Sequence, residues 1–166
     1  MSVFRPNLFL DKYTDFDIDK HIKEGFDTIL IDIDNTLDIP DSEKPGTDEA
    51  FSFLHNLQKA GFKVIIFSNN TEERVKRFLN GKSFEYYHLA FKPLPFSFVK
   101  VIRKYNLNKK KTIVFGDQIL TDCLGGNNLG LYTVYVKQLV EKDTYKTVLN
   151  RKIEKFILKR VLHEKV

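Results

Sequence analysis

The segment Thr28-Ile29-Leu30-Ile31-Asp32-Ile33-Asp34-Asn35-Thr36-Leu37 decides the fold of this chain. Its first four residues, three of them β-branched, read as a buried strand. Two carboxylates follow just where that strand should end. A carboxylate in that place is costly unless it is paired or bound to a cation. The carboxyl end of a strand in an open α/β sheet is also where ligands bind. Asp32 and Asp34 are two residues apart, so on a regular strand both would point to one side. In an irregular strand-to-loop turn the second acid can swing round to face what the first holds. Such a pair suits a nucleophile beside a proton donor, with a hard metal ion between them.

Working outward, the first apolar run covers residues 26–33 and four more follow at 62–67, 86–90, 111–115 and 131–136. Each is short, β-branched or aromatic, and bounded by turn signals, so five strands are predicted. Helical patterns separate them. Thr47 can cap a helix reaching residue 60, with Gly61 as its stop. Thr71 can cap the next, with Glu72 and Glu73 in its first turn and Gly81 after it. Pro95 suits a first helical turn leading to residue 105, a short helix fits 121–127, and a last helix fits 147–163. Residues 1–25 are expected to add an apolar arm and a helix capped by Thr14 or Asp15. Strands alternating with helices imply a parallel sheet covered on both faces. The fold class is therefore α/β, a Rossmann-like three-layer α/β/α sandwich on a five-stranded parallel sheet. With 166 residues and no linker or repeat, residues 1–166 are expected to form a single domain.

One cysteine, Cys123, excludes an intramolecular disulfide framework and any cysteine-cluster zinc site, and it reads as a packed small residue. A cytoplasmic setting is expected, because the start lacks a signal-peptide core and no stretch approaches transmembrane length. The net charge of +5 is uneven: residues 146–166 carry seven Lys/Arg against two Asp/Glu, which is the whole excess. That surplus points to a localised electrostatic contact.

Three further polar clusters end successive predicted strands: Ser68-Asn69-Asn70, Lys92-Pro93, and Gly116-Asp117 with Asp122 five residues on. Parallel strands put their carboxyl ends on one edge, so the four clusters should converge. Singly, each has a plainer reading. Ser68-Asn69-Asn70 is a common turn composition, Lys92 is an ordinary solvated charge, and Asp122 can cap a helix. The glycines at 125, 126 and 130 fit a helix end and turn, and the four histidines lack metal-ligand spacing.

Together the four clusters resemble the motifs of the haloacid-dehalogenase (HAD) superfamily of phosphatases, in order, over residues 26–136. The resemblance implies that Asp32 attacks phosphorus to form an aspartyl-phosphate. It implies that Asp34 protonates the leaving alcohol and then deprotonates the attacking water. Mg²⁺ is the implied cofactor, bound by Asp32, the Asp34 carbonyl and Asp117, with Asp122 binding through water or orienting Asp117. Lys92 and Ser68 would neutralise phosphoryl charge. Asn35 and Asn69 would offer backbone N–H groups, and Thr36 and Asn70 complete the candidate phosphate-binding set. An acid at position 34 separates this chain from dehalogenases, whose reaction has no leaving alcohol to protonate.

Only 33 residues separate Asp34 from Ser68 and 23 separate Ser68 from Lys92, which leaves no room for a cap domain. An open site favours a large substrate that itself excludes water, unless another subunit supplies a cap. The extended motifs, including Gly116-Asp117-Gln118-Ile119-Leu120-Thr121-Asp122, resemble the YqeG-type, subfamily IIIA branch. That branch is similar to phosphatases that convert phosphatidylglycerophosphate to phosphatidylglycerol. The implied partner is a phosphate ester, a lipid head group first, with a soluble ester, a phosphoprotein or a nucleic-acid end as alternatives. A catalytically idle binding module is a further alternative, against which the intact acids argue. Leu149, Ile153, Phe156, Ile157 and Val161 share one helical face and Arg151, Lys152, Lys155 and Lys159 another. Such a helix can lie on an anionic membrane at the inner face or pack on the sheet. Nothing beside the basic tail points to nucleic acid, and the sequence is silent on oligomeric state.

Overall fold

The computed structural model describes residues 3–140 together with 156, 157 and 159. Its strands are β1 (Leu8–Leu10), β2 (Thr28–Ile31), β3 (Lys63–Phe67), β4 (Glu85–Tyr87), β5 (Thr112–Gly116) and β6 (Tyr132–Val136). All are parallel, in the order β1-β6-β5-β2-β3-β4. The helices are α1 (Ile18–Lys23), α2 (Asp48–Lys59), α3 (Glu72–Leu79), α4 (Pro95–Lys104) and α5 (Leu124–Asn128).

The pleat sorts each central strand between two cores. Ile29, Ile31, Val64, Ile66, Ile113 and Phe115 meet Phe51, Leu54, Leu57, Val75 and Phe78 of α2 and α3. The alternate residues Leu30, Ile65, Phe67 and Val114 meet Phe98, Val101 and Ile102 of α4. Two buried faces produce the expected three layers and explain why the strands are apolar throughout rather than alternating. Thr47 and Thr71 cap α2 and α3 by accepting from Ala50 N and Arg74 N.

Among the described residues the sheet has six strands rather than five. The apolar arm forms β1, which pairs with β6 from Leu8↔Val134 to Leu10↔Val136. Its helix is capped by Asp17, which accepts from Lys20 N at 2.9 Å, rather than by Thr14 or Asp15. Asp15 instead closes a tight turn by accepting from Lys12 N. β4 ends at Tyr87, three residues earlier than the pattern predicts, because Leu89 turns to φ 46°. No domain is inserted between β2 and α2 or between β3 and β4. The expected 147–163 helix lies outside the described residues apart from 156, 157 and 159, which are helical. Among the described residues no helix is long and apolar enough to cross a membrane.

Candidate active site

The chain runs outward from β2 through β3 to β4, then crosses to β5 on the other side of β2. The crevice beyond the carboxyl ends of β2 and β5 is thus a topological switch point, where open α/β sheets bind ligands. Asp32 follows β2 there and its N–H donates to Phe115 O at 2.9 Å, which pins it to the end of the ladder. Lys92 Nζ is the hub of the crevice. It lies 2.9 Å from Asp32 Oδ1 and donates to Asp122 Oδ1 and Phe67 O, each at 2.7 Å. Asn69 holds the lysine backbone: Lys92 N donates to Asn69 Oδ1 at 2.7 Å and Asn69 Nδ2 donates to Lys92 O at 3.2 Å. Burial pushes the Asp32 carboxyl up to about 6; Lys92 opposes this and Asp122 and Asp34 add to it. Burial also works against the Lys92 ammonium, but Asp122 and Asp32 overcome it and raise its pKa.

Asp117 follows Gly116, the last residue of β5, and Asp122 sits in a widened π-type turn over Ile119–Cys123. Both Asp122 N and Cys123 N donate to Gln118 O, the mark of that widening. A Cβ at Gly116 would fall on the Asp122 carboxylate, so only glycine lets this acid tuck against the strand end. Thr121 Oγ1 donates to Asp122 Oδ2 at 3.0 Å. Asp122 is therefore a buried partner of Lys92; the side-chain cap weighed for it is not made, since α5 starts without one. One oxygen each of Asp32, Asp117 and Asp122 lie within 4.8 Å of one another, all buried. Three buried carboxylates gathered around one ammonium make an all-oxygen donor set that fits a hard divalent cation such as Mg²⁺.

The Asp34 side chain is not in that cluster, which leaves its carbonyl for a cation. The loop coils back on itself as the N–H groups of Thr36, Leu37 and Asp38 all donate to Ile33 O. Asn35 adopts φ 60° and donates its N–H to Asp38 O at 2.7 Å. The coil swings Asp34 toward α3. There Arg74 Nη2 donates to Asp34 Oδ1 at 2.8 Å and Asn70 Nδ2 donates to Asp34 Oδ2 at 2.6 Å. Arg74 Nη2 also meets Asp38 Oδ2 at 3.0 Å and Ile39 O at 3.3 Å. Burial raises the Asp34 pKa, with Arg74 and Asn70 pulling the other way.

Asp32, Lys92, Asp117 and Asp122 converge as expected, and Ser68, Asn70 and Asp34 form a second group beside them. Ser68 Oγ accepts from Asn70 N and Nδ2, which leaves its O–H to donate. Thr36 is fully buried, and its Oγ1 has no hydrogen-bond partner among the described residues. Asn35 does not offer its N–H to the crevice. That donor is engaged by Asp38, while the Asn35 side chain and carbonyl accept from Val140 N and Leu139 N. Arg74 and Asp38 are the residues that sequence reasoning misses. Arg74 had a signal: it shares the buried stripe of α3 with Val75 and Phe78, where a charge needs a partner.

Comparison with known proteins places these residues in context. A family model described as haloacid dehalogenase-like hydrolase matches residues 9–130. A relative from Bacillus subtilis (strain 168) named "Probable phosphatase YqeG" is 34% identical over 156 residues, covering 93% of this chain and 90% of its own. A crystal structure of an uncharacterized protein from Listeria monocytogenes serotype 4b superposes with a TM-score of 0.58 at 17% identity, covering 81% of this chain and 99% of that one. The NMR structure of the core domain of "a putative phosphoglycolate phosphatase" from Streptococcus pneumoniae TIGR4 gives 0.50 at 21% identity, covering 78% of this chain and 96% of that one. At these identities the two solved structures speak for the fold alone.

Proposed function

Because this chain belongs to the haloacid dehalogenase-like hydrolases, we propose that it is a Mg²⁺-dependent phosphomonoesterase acting through an aspartyl-phosphate, with phosphatidylglycerophosphate as substrate. Asp32 attacks phosphorus, a new Asp32–phosphorus bond forms, and the bond to the leaving alcohol breaks. Asp34 gives its proton to that alcohol oxygen. It then takes a proton from the water that attacks phosphorus, releasing inorganic phosphate and restoring the Asp32 carboxylate. Lys92 and the Ser68 O–H offset charge on the transferring oxygens. A divalent cation held by Asp32, Asp117, Asp122 and the Asp34 carbonyl would supply the remaining charge neutralisation.

The observation that carries this reading is the pairing of a buried, lysine-bridged Asp32 with an Asp34 held separately by Arg74 and Asn70. The contrast supports a reading in which one acid attacks and the other exchanges protons. The open crevice, with no inserted cap, supports a substrate whose own bulk or surface excludes water. The relative's name supports phosphatase chemistry, and the extended motifs support the lipid substrate.

A substrate panel tests both parts. With Mg²⁺, turnover of phosphatidylglycerophosphate in mixed micelles should exceed that of glycerol 3-phosphate and p-nitrophenyl phosphate by orders of magnitude. Equal slow rates on all three would remove the lipid substrate. Full activity in Asp32→Asn would remove the covalent step.

A further inference from the structure

Among the described residues eight large apolar side chains are exposed, and six of them stand on one edge of the sheet. They are Ile39 after β2, Leu89, Phe91, Leu94 and Phe96 between β4 and the first turn of α4, and Leu139 after β6. All follow the carboxyl ends of strands, the edge on which the Asp32 crevice also opens. Their exposure lies between 40% and 55%, and exposed apolar side chains gathered on one edge mark an interaction surface.

These residues are fixed to the site rather than scattered over loose loops. Leu139 N donates to Asn35 O at 3.1 Å, Leu89 N to Asn70 O at 2.8 Å, and Ile39 O accepts from Arg74 Nη2. From residue 89 to 92 the loop alternates, with Leu89 and Phe91 outward and Ala90 and Lys92 buried. The same backbone that sends Lys92 inward to Asp32 therefore presents two apolar side chains to the outside. It does so under strain: Leu89 and Phe91 adopt φ 46° and 49°, where every other non-glycine residue with positive φ among the described residues is Asn or Asp. Strain of this kind persists only where surrounding structure over-determines it, and it clusters at functional surfaces.

We propose that this ring of apolar side chains is an interfacial lip that inserts into an anionic lipid bilayer, bringing the Asp32 crevice down onto lipid phosphate. The inference rests on the lipid-phosphate reading of the site and adds to it how the protein reaches that phosphate. A bilayer surface combines apolar chains with phosphates at one depth, matching an apolar rim around a polar, lysine-bearing recess. The flank is basic as well. A groove of about 620 Å³ runs from the lip between β4 and α4, with Lys100 and Lys104 along it. Two acids that line it, Glu72 and Glu85, lie 3.0 and 3.5 Å from Lys76 and Lys63. Lys137, two residues before Leu139, is exposed as well. A second protein seated on the ring would seal the recess, whereas lipid fills it with the group to be hydrolysed.

The chain has no tryptophan, so single reporters are clean. Phe96→Trp and Leu139→Trp mark the lip. Val3→Trp marks the opposite edge, where Val3 O accepts from Asn127 Nδ2 ahead of β6. Each full-length variant is mixed with vesicles of phosphatidylcholine and phosphatidylglycerol carrying brominated acyl chains. Bromine should quench position 96 and position 139 severalfold more than position 3. Absence of quenching at 96 and 139, or stronger quenching at 3, overturns the lip. A blue shift at 96 that appears without vesicles and grows with protein concentration also overturns it, in favour of a second copy. Turnover of a soluble phosphate ester by the same proteins is read separately. If the phosphatase reading fails there, the quenching pattern still decides the lip.

Discussion

Asp32 and Asp34 are one residue type two positions apart, and the fold surrounds them differently. Asp32 lies at the end of the sheet and shares a single ammonium with Asp122, beside a third buried acid, Asp117. Asp34 has a guanidinium on one oxygen and an amide on the other, both from the β3–α3 region. The first environment gathers three buried carboxylate oxygens where a cation could sit. The second pairs each oxygen with a donor and so fixes the carboxylate that the proposed mechanism uses to exchange protons. The coil of residues 33–38 separates the two, so the division of labour comes from a local turn plus partners 40 and 60 residues away. Neither role is intrinsic to aspartate.

The largest test of this contrast is removal of each acid in turn. Asp32→Asn should lower Mg²⁺-dependent turnover of any phosphomonoester by roughly four or more orders of magnitude, because the nucleophile is lost. Asp34→Asn should cost about 10²- to 10⁴-fold on an alkyl phosphate, as expected for a missing general acid. It should cost far less in the first step on p-nitrophenyl phosphate, whose leaving group needs no proton. Phosphoenzyme should then accumulate, trapped by acid quench. Equal sensitivity of both variants to the leaving group would erase the distinction between the two acids.

A smaller effect is expected from Arg74, which touches Asp34 but not the crevice hub. Arg74→Ala should lower turnover of an alkyl phosphate by about 10- to 100-fold, the scale of lost outer-shell support. It should also destabilise the fold by roughly 3 kcal/mol, since Asp38 is left buried without its partner. Arg74 pulls the Asp34 pKa down, so its loss should raise that pKa further. The falling alkaline limb of the rate, which reports protonated Asp34, should then move to higher pH. Arg74→Lys should restore part of that position. An unmoved limb with lower stability would make Arg74 a structural residue only.

Much of this was legible in the sequence where chemistry is local. The Thr47 and Thr71 caps, the apolar runs of β2, β3 and β5, and the strand-end placement of Asp32, Ser68 and Asp117 need only neighbours in the chain. Parallel strands then bring the clusters together without further information. What stayed hidden depends on distant partners. β1 is three half-buried residues that become a strand only because β6 offers an edge. The engagement of Asn35 N–H by Asp38 follows from a coil that no propensity specifies. Arg74 on a buried helical stripe was visible as an anomaly, but nothing local names Asp34 and Asp38 as its partners.

The smallest expected effect is on stability, and its sign follows from the Asp32 environment. Burial raises the carboxyl from its ordinary 3.8 to about 6, so the folded protein holds that proton more tightly than the unfolded chain does. Its contribution to stability is fully present below about pH 4 and is lost as pH rises through about 6, a change on the order of 3 kcal/mol. Asp34, also raised by burial, acts in the same direction. A cation among Asp32, Asp117 and Asp122 competes with that proton, so Mg²⁺ should stabilise the fold more at pH 7.5 than at pH 5. Saturation at about 100 times its dissociation constant corresponds to roughly 2.7 kcal/mol. Thermal unfolding with Mg²⁺ and with EDTA at the two pH values measures the difference. In Asp32→Asn the Mg²⁺ shift should shrink sharply, whereas in Arg74→Ala it should remain near the wild-type value. An equal loss in both variants would mean that the two acids share one electrostatic site rather than occupying two.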